Sequence, residues 1–287
     1  MQGIAGLPVV DHHCHLSPAG DGVRAARRFA DAGGTHLFLA TQNYEPTVPT
    51  ELDDYRRQFE TTERLAREVR DACGVVVYVV VAPYPVDLVR AAESLGVGAA
   101  LELHRRALDL AGGWVRDRRA VALGEVGWPH FAVPEEVGAA CRSAFRHSLD
   151  VARDVGCPVV VHSPDLDAAG WAQLRHDAAD AGLPPGHVVK HYARHRVDPG
   201  TPAGPVPSYV ARRELVAEVL GDPAPWFLET DYLDDPARPG AVLDLATVPR
   251  RAASLARAAP SGADRLVTPF VRSVEQVYGL TPQLEGG

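Results

Sequence analysis

Short apolar runs alternate with longer amphipathic segments along most of this chain, and that alternation limits the fold more than any other feature. The runs lie at residues 7–15, 35–41, 75–82, 120–127, 158–163, 187–192, 205–210 and 226–231. Several are apolar nearly throughout, as in GVVVYVVVA and PVVVH, the pattern of strands buried on both faces of a parallel sheet. Between them, residues 55–72, 86–95, 137–155, 210–220 and 242–258 carry apolar side chains three and four apart and read as helices. Eight strands with intervening helices predict an α/β fold, a (β/α)8 TIM barrel, with a doubly wound sheet as the alternative. A barrel of 287 residues is expected to be a single domain over 1–287. The Pro/Gly-rich stretches at 194–207 and 234–240 are too short for domain linkers and read as loops.

Active sites of parallel barrels lie at the C-terminal ends of the strands, and there the unusual polar residues fall. The first run ends in DHHCH, with Asp11, His13 and His15; the fourth in GEVG, with Glu125; the fifth in His162; the sixth in His191; the eighth in LETD, with Glu229 and Asp231. Strand side chains alternate between two faces, so Asp11, His13 and His15 share one face while His12 and Cys14 take the other. By the same parity Glu229 and Asp231 share a face. A lone strand-end histidine is more often structural than a ligand. Five such groups at the ends of separate runs make the structural reading the weaker one.

Imidazoles and carboxylates from separate strands suit a borderline divalent ion such as zinc, manganese or iron. One shared carboxylate, Glu125, could lie between two ions and let them act on one water, whose pKa falls toward neutrality. Asp231 would orient that water and take its proton. The expected chemistry is hydrolysis.

The motifs DHHCHL, LGEVG, VVVHSP, VVKHYA and FLETD, in this order, resemble the TatD-like metal-dependent hydrolases of the amidohydrolase superfamily, and the tail SVEQVYGL resembles that family's C-terminal helix. The resemblance implies a (β/α)8 barrel with one or two ions, zinc first, with manganese, iron or magnesium as alternatives. Carried over residue by residue, it puts His13, His15 and Asp231 on one ion and His162 and His191 on the other. Glu125 lies between the ions, and Asp231 doubles as base. The TatD nucleases usually carry a histidine after strand three, where this chain reads APYP, and an arginine after the strand-five histidine, where it reads HSPDLD. The strand-six motif is HYARH rather than His-Cys-Phe. These departures favour a small-molecule substrate with an amide or ester-type bond. A TatD-type DNase or phosphodiesterase is the alternative, and a binding protein without activity is a third.

The net charge of −8 also disfavours a non-specific nucleic-acid binder, while leaving room for a local basic groove. No membrane partner is expected, because the longest apolar run, 75–82, is far shorter than the roughly 20 residues of a span. The first seven residues lack the basic cluster and apolar core of a leader, so a cytoplasmic location is expected. Cys14, Cys73, Cys141 and Cys157 are widely spaced and read as free thiols.

Lys190, the one lysine in the chain, precedes His191. It reads either as a structural lysine with its amine at the barrel surface, or as a substrate contact or carbamylated ligand. Asp11 and Glu229 are candidate supports behind the ligands, and Tyr232 a weaker candidate beside Asp231. Trp128, His130 and Phe131, following Glu125, offer an aromatic wall for the substrate or, for Trp128, core packing. Gln42, Asn43 and Tyr44 read as pocket wall or plain loop, and Arg194 and Arg196 as anion contacts or solvated charges.

Overall fold

The computed structural model describes all residues except 1–3, 5, 199–203, 236, 239–241, 259–260 and 285–287. Parts of both expected loops, residues 199–203 and 236, 239 and 240, lie outside the described residues. All eight expected strands form: β1 (Val10–His15), β2 (His36–Ala40), β3 (Val76–Val81), β4 (Ala122–Gly127), β5 (Val159–His162), β6 (Val188–Ala193), β7 (Val206–Val210) and β8 (Phe227–Glu229). A ninth, β9 (Tyr232–Leu233), pairs in parallel with β1 through Cys14 with Tyr232 and His15 with Leu233. The sheet order is β8-β7-β6-β5-β4-β3-β2-β1-β9. Because β9 follows β8 after a two-residue break, strand eight and strand one become neighbours, and the fold is of (β/α)8 TIM-barrel class.

Ten α-helices are described: α1 (Val23–Asp31), α2 (Leu52–Cys73), α3 (Pro85–Leu95), α4 (Val97–Arg116), α5 (Glu135–Val155), α6 (Ala168–Asp180), α7 (Arg213–Val219), α8 (Thr247–Ala258), α9 (Gly262–Arg265) and α10 (Ser273–Tyr278). Their ends follow local chemistry. Pro85 opens α3 at a position that needs no N–H donor. Asp167 caps α6 by accepting from the Gly170 N–H at 2.8 Å. Glu135 and Glu136 occupy the positive first turn of α5, and Gly156 closes it in the left-handed region. The helix expected from residue 242 starts at Thr247, because Asp244 turns the chain first: its carboxylate accepts from the Ala246 N–H (3.1 Å) and its carbonyl from the Thr247 N–H (2.8 Å). The one expected from 210 starts at Arg213, since Val210 still belongs to β7.

Contacts divide the chain into two compact units, one of Met1–Leu39, Arg64–Tyr78 and His191–Gly287, the other of Ala40–Glu63 and Val79–Lys190. In the first, β1 pairs with β2 and β9, β7 pairs with β8, and the back of β1 packs on α10. There His12 stacks on Phe227 with ring centroids 4.0 Å apart and shares a 2.7 Å hydrogen bond with the Tyr278 hydroxyl. Burial pushes the His12 imidazole down to about 3, so it is a neutral core group. In the second unit β4 lies between β3 and β5, and β5 pairs with β6. Leu88 from α3 and Val137, Ala140, Cys141 and Ala144 from α5 form a buried cluster on which Trp128 packs. Among the described residues no helix is long and apolar enough to cross a membrane.

Candidate metal centre

In the first unit, β1 and the segment after β8 assemble one donor group. His13 Nε2 and His15 Nε2 are 3.2 Å apart, as parity on one strand face requires. Asp231 Oδ1 stands 3.8 Å from the former and 3.9 Å from the latter. Two ligands bound at about 2.0–2.1 Å to one ion lie roughly 3.0–3.4 Å apart, so the histidine pair has the separation of neighbouring ligands. Two imidazole nitrogens and a carboxylate oxygen are also the donor types a borderline divalent ion takes, so the residues present fit such an ion.

Asp231 reaches this position because the chain leaves extended geometry. Its φ is 50°, its N–H donates to the His13 carbonyl (3.0 Å), and three residues on the Asp234 N–H donates to the His15 carbonyl (3.1 Å). The eighth strand was expected to run through Asp231. It ends at Glu229, since the left-handed turn at Asp231 interrupts the ladder before β9 resumes it.

The supporting residues are buried and oriented. Asp11 lies behind the histidine pair, and burial pushes its carboxyl up to about 8 against the hydrogen bonds from Thr230 and the His13 N–H. His191 stacks on His13 at 4.2 Å between centroids. Its Nδ1 is 3.6 Å from Glu229 Oε1, which also accepts the Tyr192 N–H at 2.6 Å. Burial raises the Glu229 carboxyl, but the His191 and His13 imidazoles and the Ser208 hydroxyl outweigh it and hold the group below its ordinary range.

The second unit carries the other donors. Glu125 Oε2 is 3.8 Å from His162 Nδ1, and both side chains are largely buried. On the far side of the ring His162 Nε2 meets His130 Nδ1 at 3.1 Å and the Tyr84 hydroxyl at 3.4 Å. Sequence reasoning noted APYP only for the histidine it lacks and did not single out Tyr84.

Trp128 packs edge-on against Phe145 of α5, 5.3 Å between centroids, while Phe131 remains 47% exposed. The Tyr232 hydroxyl donates to Asp234 Oδ1 at 3.3 Å. Arg196 pairs with Asp222, and Tyr209 accepts the Val197 N–H (2.9 Å), so both brace the segment after β6. Lys190 is 1% exposed, which overturns the expectation that its amine is led to the surface. Asn43 and Tyr44 line a cavity of about 350 Å³ with Glu45, Thr47, Arg57 and Gln58. The four cysteines are free thiols.

A TIM-barrel-class chain with His13, His15 and Asp231 placed together at strand ends has the donor set of a metal-dependent hydrolase. The model of the TatD related DNase family matches residues 10–279, and the chain belongs to that family. It is similar to the uncharacterized protein MJ1127 of Methanocaldococcus jannaschii, 26% identical over 288 residues that cover 99% of this chain and 100% of the relative. Among solved structures it is similar to YJJV, a TatD homolog from Escherichia coli K12, with 19% identity, a TM-score of 0.61 and coverage of 95% of this chain and 98% of that one. A mutant PTE-like lactonase from Deinococcus radiodurans shares the fold at 16% identity and a TM-score of 0.57, covering 96% and 97% of the two chains.

Proposed function

We propose that this enzyme hydrolyses an amide or ester-type bond of a small molecule, with His13, His15 and Asp231 holding one divalent ion, His162 and His191 holding another, and Glu125 shared between them. Zinc is the first choice for both, with manganese, iron or magnesium as substitutes. When bound, such an ion supplies Lewis acidity and brings the pKa of a water toward neutrality. Asp231 then orients the attacking water and takes its proton on the carboxylate, while Glu229 and Asp11 hold His191 and the β1 histidines in place.

The observation that carries the small-molecule reading is the group at the end of strand three. There Tyr84 sets an uncharged hydroxyl 3.4 Å from His162. A hydroxyl hydrogen-bonds a carbonyl compound well but supplies no positive charge for a phosphodiester. Phosphodiester hydrolysis has its own support in the family, whose description names a DNase.

Turnover by the zinc- or manganese-loaded enzyme, and by Asp231→Asn, separates the two on p-nitrophenyl acetate and a lactone panel against single-stranded DNA and bis-p-nitrophenyl phosphate. The small-molecule reading expects ester or lactone turnover that Asp231→Asn lowers at least about a hundredfold, in line with the loss of a general base. Turnover of DNA or the phosphodiester alone, lost in Asp231→Asn, would establish the nuclease reading instead.

A further inference from the structure

The loop after β4 delivers a second imidazole to His162, and the backbone shows how. Gly127, with φ of 130°, ends β4 at a point where a Cβ would run into the His162 carbonyl oxygen. The next N–H, that of Trp128, donates to the same carbonyl at 3.1 Å. The loop is thereby tied to strand five at His162 itself, and two residues further on His130 sets Nδ1 3.1 Å from His162 Nε2. Tyr84, in the turn between β3 and α3, brings its hydroxyl within 3.4 Å of that same nitrogen. The other ring nitrogen, Nδ1, faces Glu125 Oε2 at 3.8 Å.

A neutral imidazole has one N–H and one lone pair, so the neighbours of the two nitrogens decide which is which. Were Nε2 the acceptor, its single lone pair would face two groups. As the donor, Nε2–H points between two acceptors, the Nδ1 lone pair of His130 and the Tyr84 oxygen, and the lone pair of Nδ1 then points toward the Glu125 carboxylate side, where a cation would be shared. We infer that His130, with Tyr84 beside it, is a positioning residue that fixes His162 as the Nε2–H tautomer, so that His162 binds metal through Nδ1. The inference rests on the reading of His162 as a ligand. Its consequence is that one ion depends on the β4–α5 loop, whereas the ion on His13 and His15 does not.

The test uses the full chain, stripped and reloaded with zinc. Long-range proton–nitrogen NMR of the ring nitrogens reports the His162 tautomer, and competition with a chromophoric chelator reports the affinity of each equivalent. The expected results are an Nε2–H His162 in the loaded protein and a 10- to 100-fold weaker second equivalent in His130→Ala, the usual range for losing such a partner. In His130→Gln, whose amide oxygen still accepts, the affinity returns to within about threefold of the parent. An Nδ1–H tautomer of His162 in the loaded protein, or an affinity unchanged in His130→Ala while His162→Ala loses zinc, overturns the inference alone. Zinc affinity unchanged in His162→Ala overturns the ligand reading and the inference with it.

Discussion

Asp11 and Thr230 are joined twice: Asp11 Oδ2 accepts the Thr230 hydroxyl at 2.7 Å, and Asp11 Oδ1 accepts the Thr230 N–H at 3.1 Å. Asp11 Oδ1 also accepts the His13 N–H at 3.2 Å, so one buried carboxyl group clamps the end of β8 to the strand that carries the histidine pair. Thr230→Val removes the shorter bond and leaves a buried acceptor short of a donor, at a cost of about 1–3 kcal/mol. Urea unfolding at pH 7 measures that loss. Because the clamp sets the position of His13, zinc affinity is expected to fall about tenfold in the same variant.

His12 and His13 are adjacent in sequence and opposite in role. His12→Ala empties a site stacked on Phe227 and breaks the bond to Tyr278, so the melting temperature falls by an amount matching roughly 2–4 kcal/mol. His13→Ala is expected to leave the fold closer to parental in the absence of metal. Scanning calorimetry of the two chelator-treated variants gives the order.

Asp234 holds the loop between β1 and α1. Its carboxylate accepts the N–H groups of Ser17 (3.0 Å), Asp21 (2.8 Å) and Gly22 (2.7 Å), and a Cβ at Gly20 would overlap that carboxylate. Asp234→Ala frees three backbone donors and Gly20→Ala displaces their acceptor, so each is expected to destabilise by about 2–4 kcal/mol. Limited proteolysis is expected to cut within 17–22 in both variants and not in the parent.

His104 lies buried on α4, and burial, with a smaller contribution from His147, pushes its imidazole from 6.5 down to about 3. The folded pKa is depressed, so the unfolded chain takes up the proton first. Stability present above about pH 6.5 is lost as the pH falls toward 3, by up to about 1.4 kcal/mol per pH unit for this group. His104→Leu removes that proton uptake. Its stability relative to the parent is expected to rise by roughly 1–2 kcal/mol between pH 6.5 and 5, measured by urea unfolding at both.

The strands were legible because they are short, mostly apolar runs, and five of them carry polar residues at their ends, as VVV runs into His162. The pairing of His13 with His15 was legible because strand parity alone puts them on one face. Thr230, Asp234 and Tyr84 were not. Thr230 and Asp234 acquire their partners only through the left-handed turn at Asp231 and the return of β9 to β1, neither of which has a periodicity to read. Tyr84 and His130 depend on where loops meet His162, and the one local sign was Gly127, a glycine at the end of an apolar strand. Lys190 misled because a lysine is ordinarily led to water, whereas here strand six buries it.

The central claim is that these strand-end side chains hold the metal that activates water. The metal content of the purified chain, stripped by chelator and reloaded with zinc, tests it most directly when measured beside His13→Ala, His162→Ala and His12→Ala. About one to two equivalents in the parent and in His12→Ala are expected, with about one equivalent fewer in each of the other two. Less than about half an equivalent in the parent, or loss in His12→Ala equal to that in His13→Ala, would contradict it.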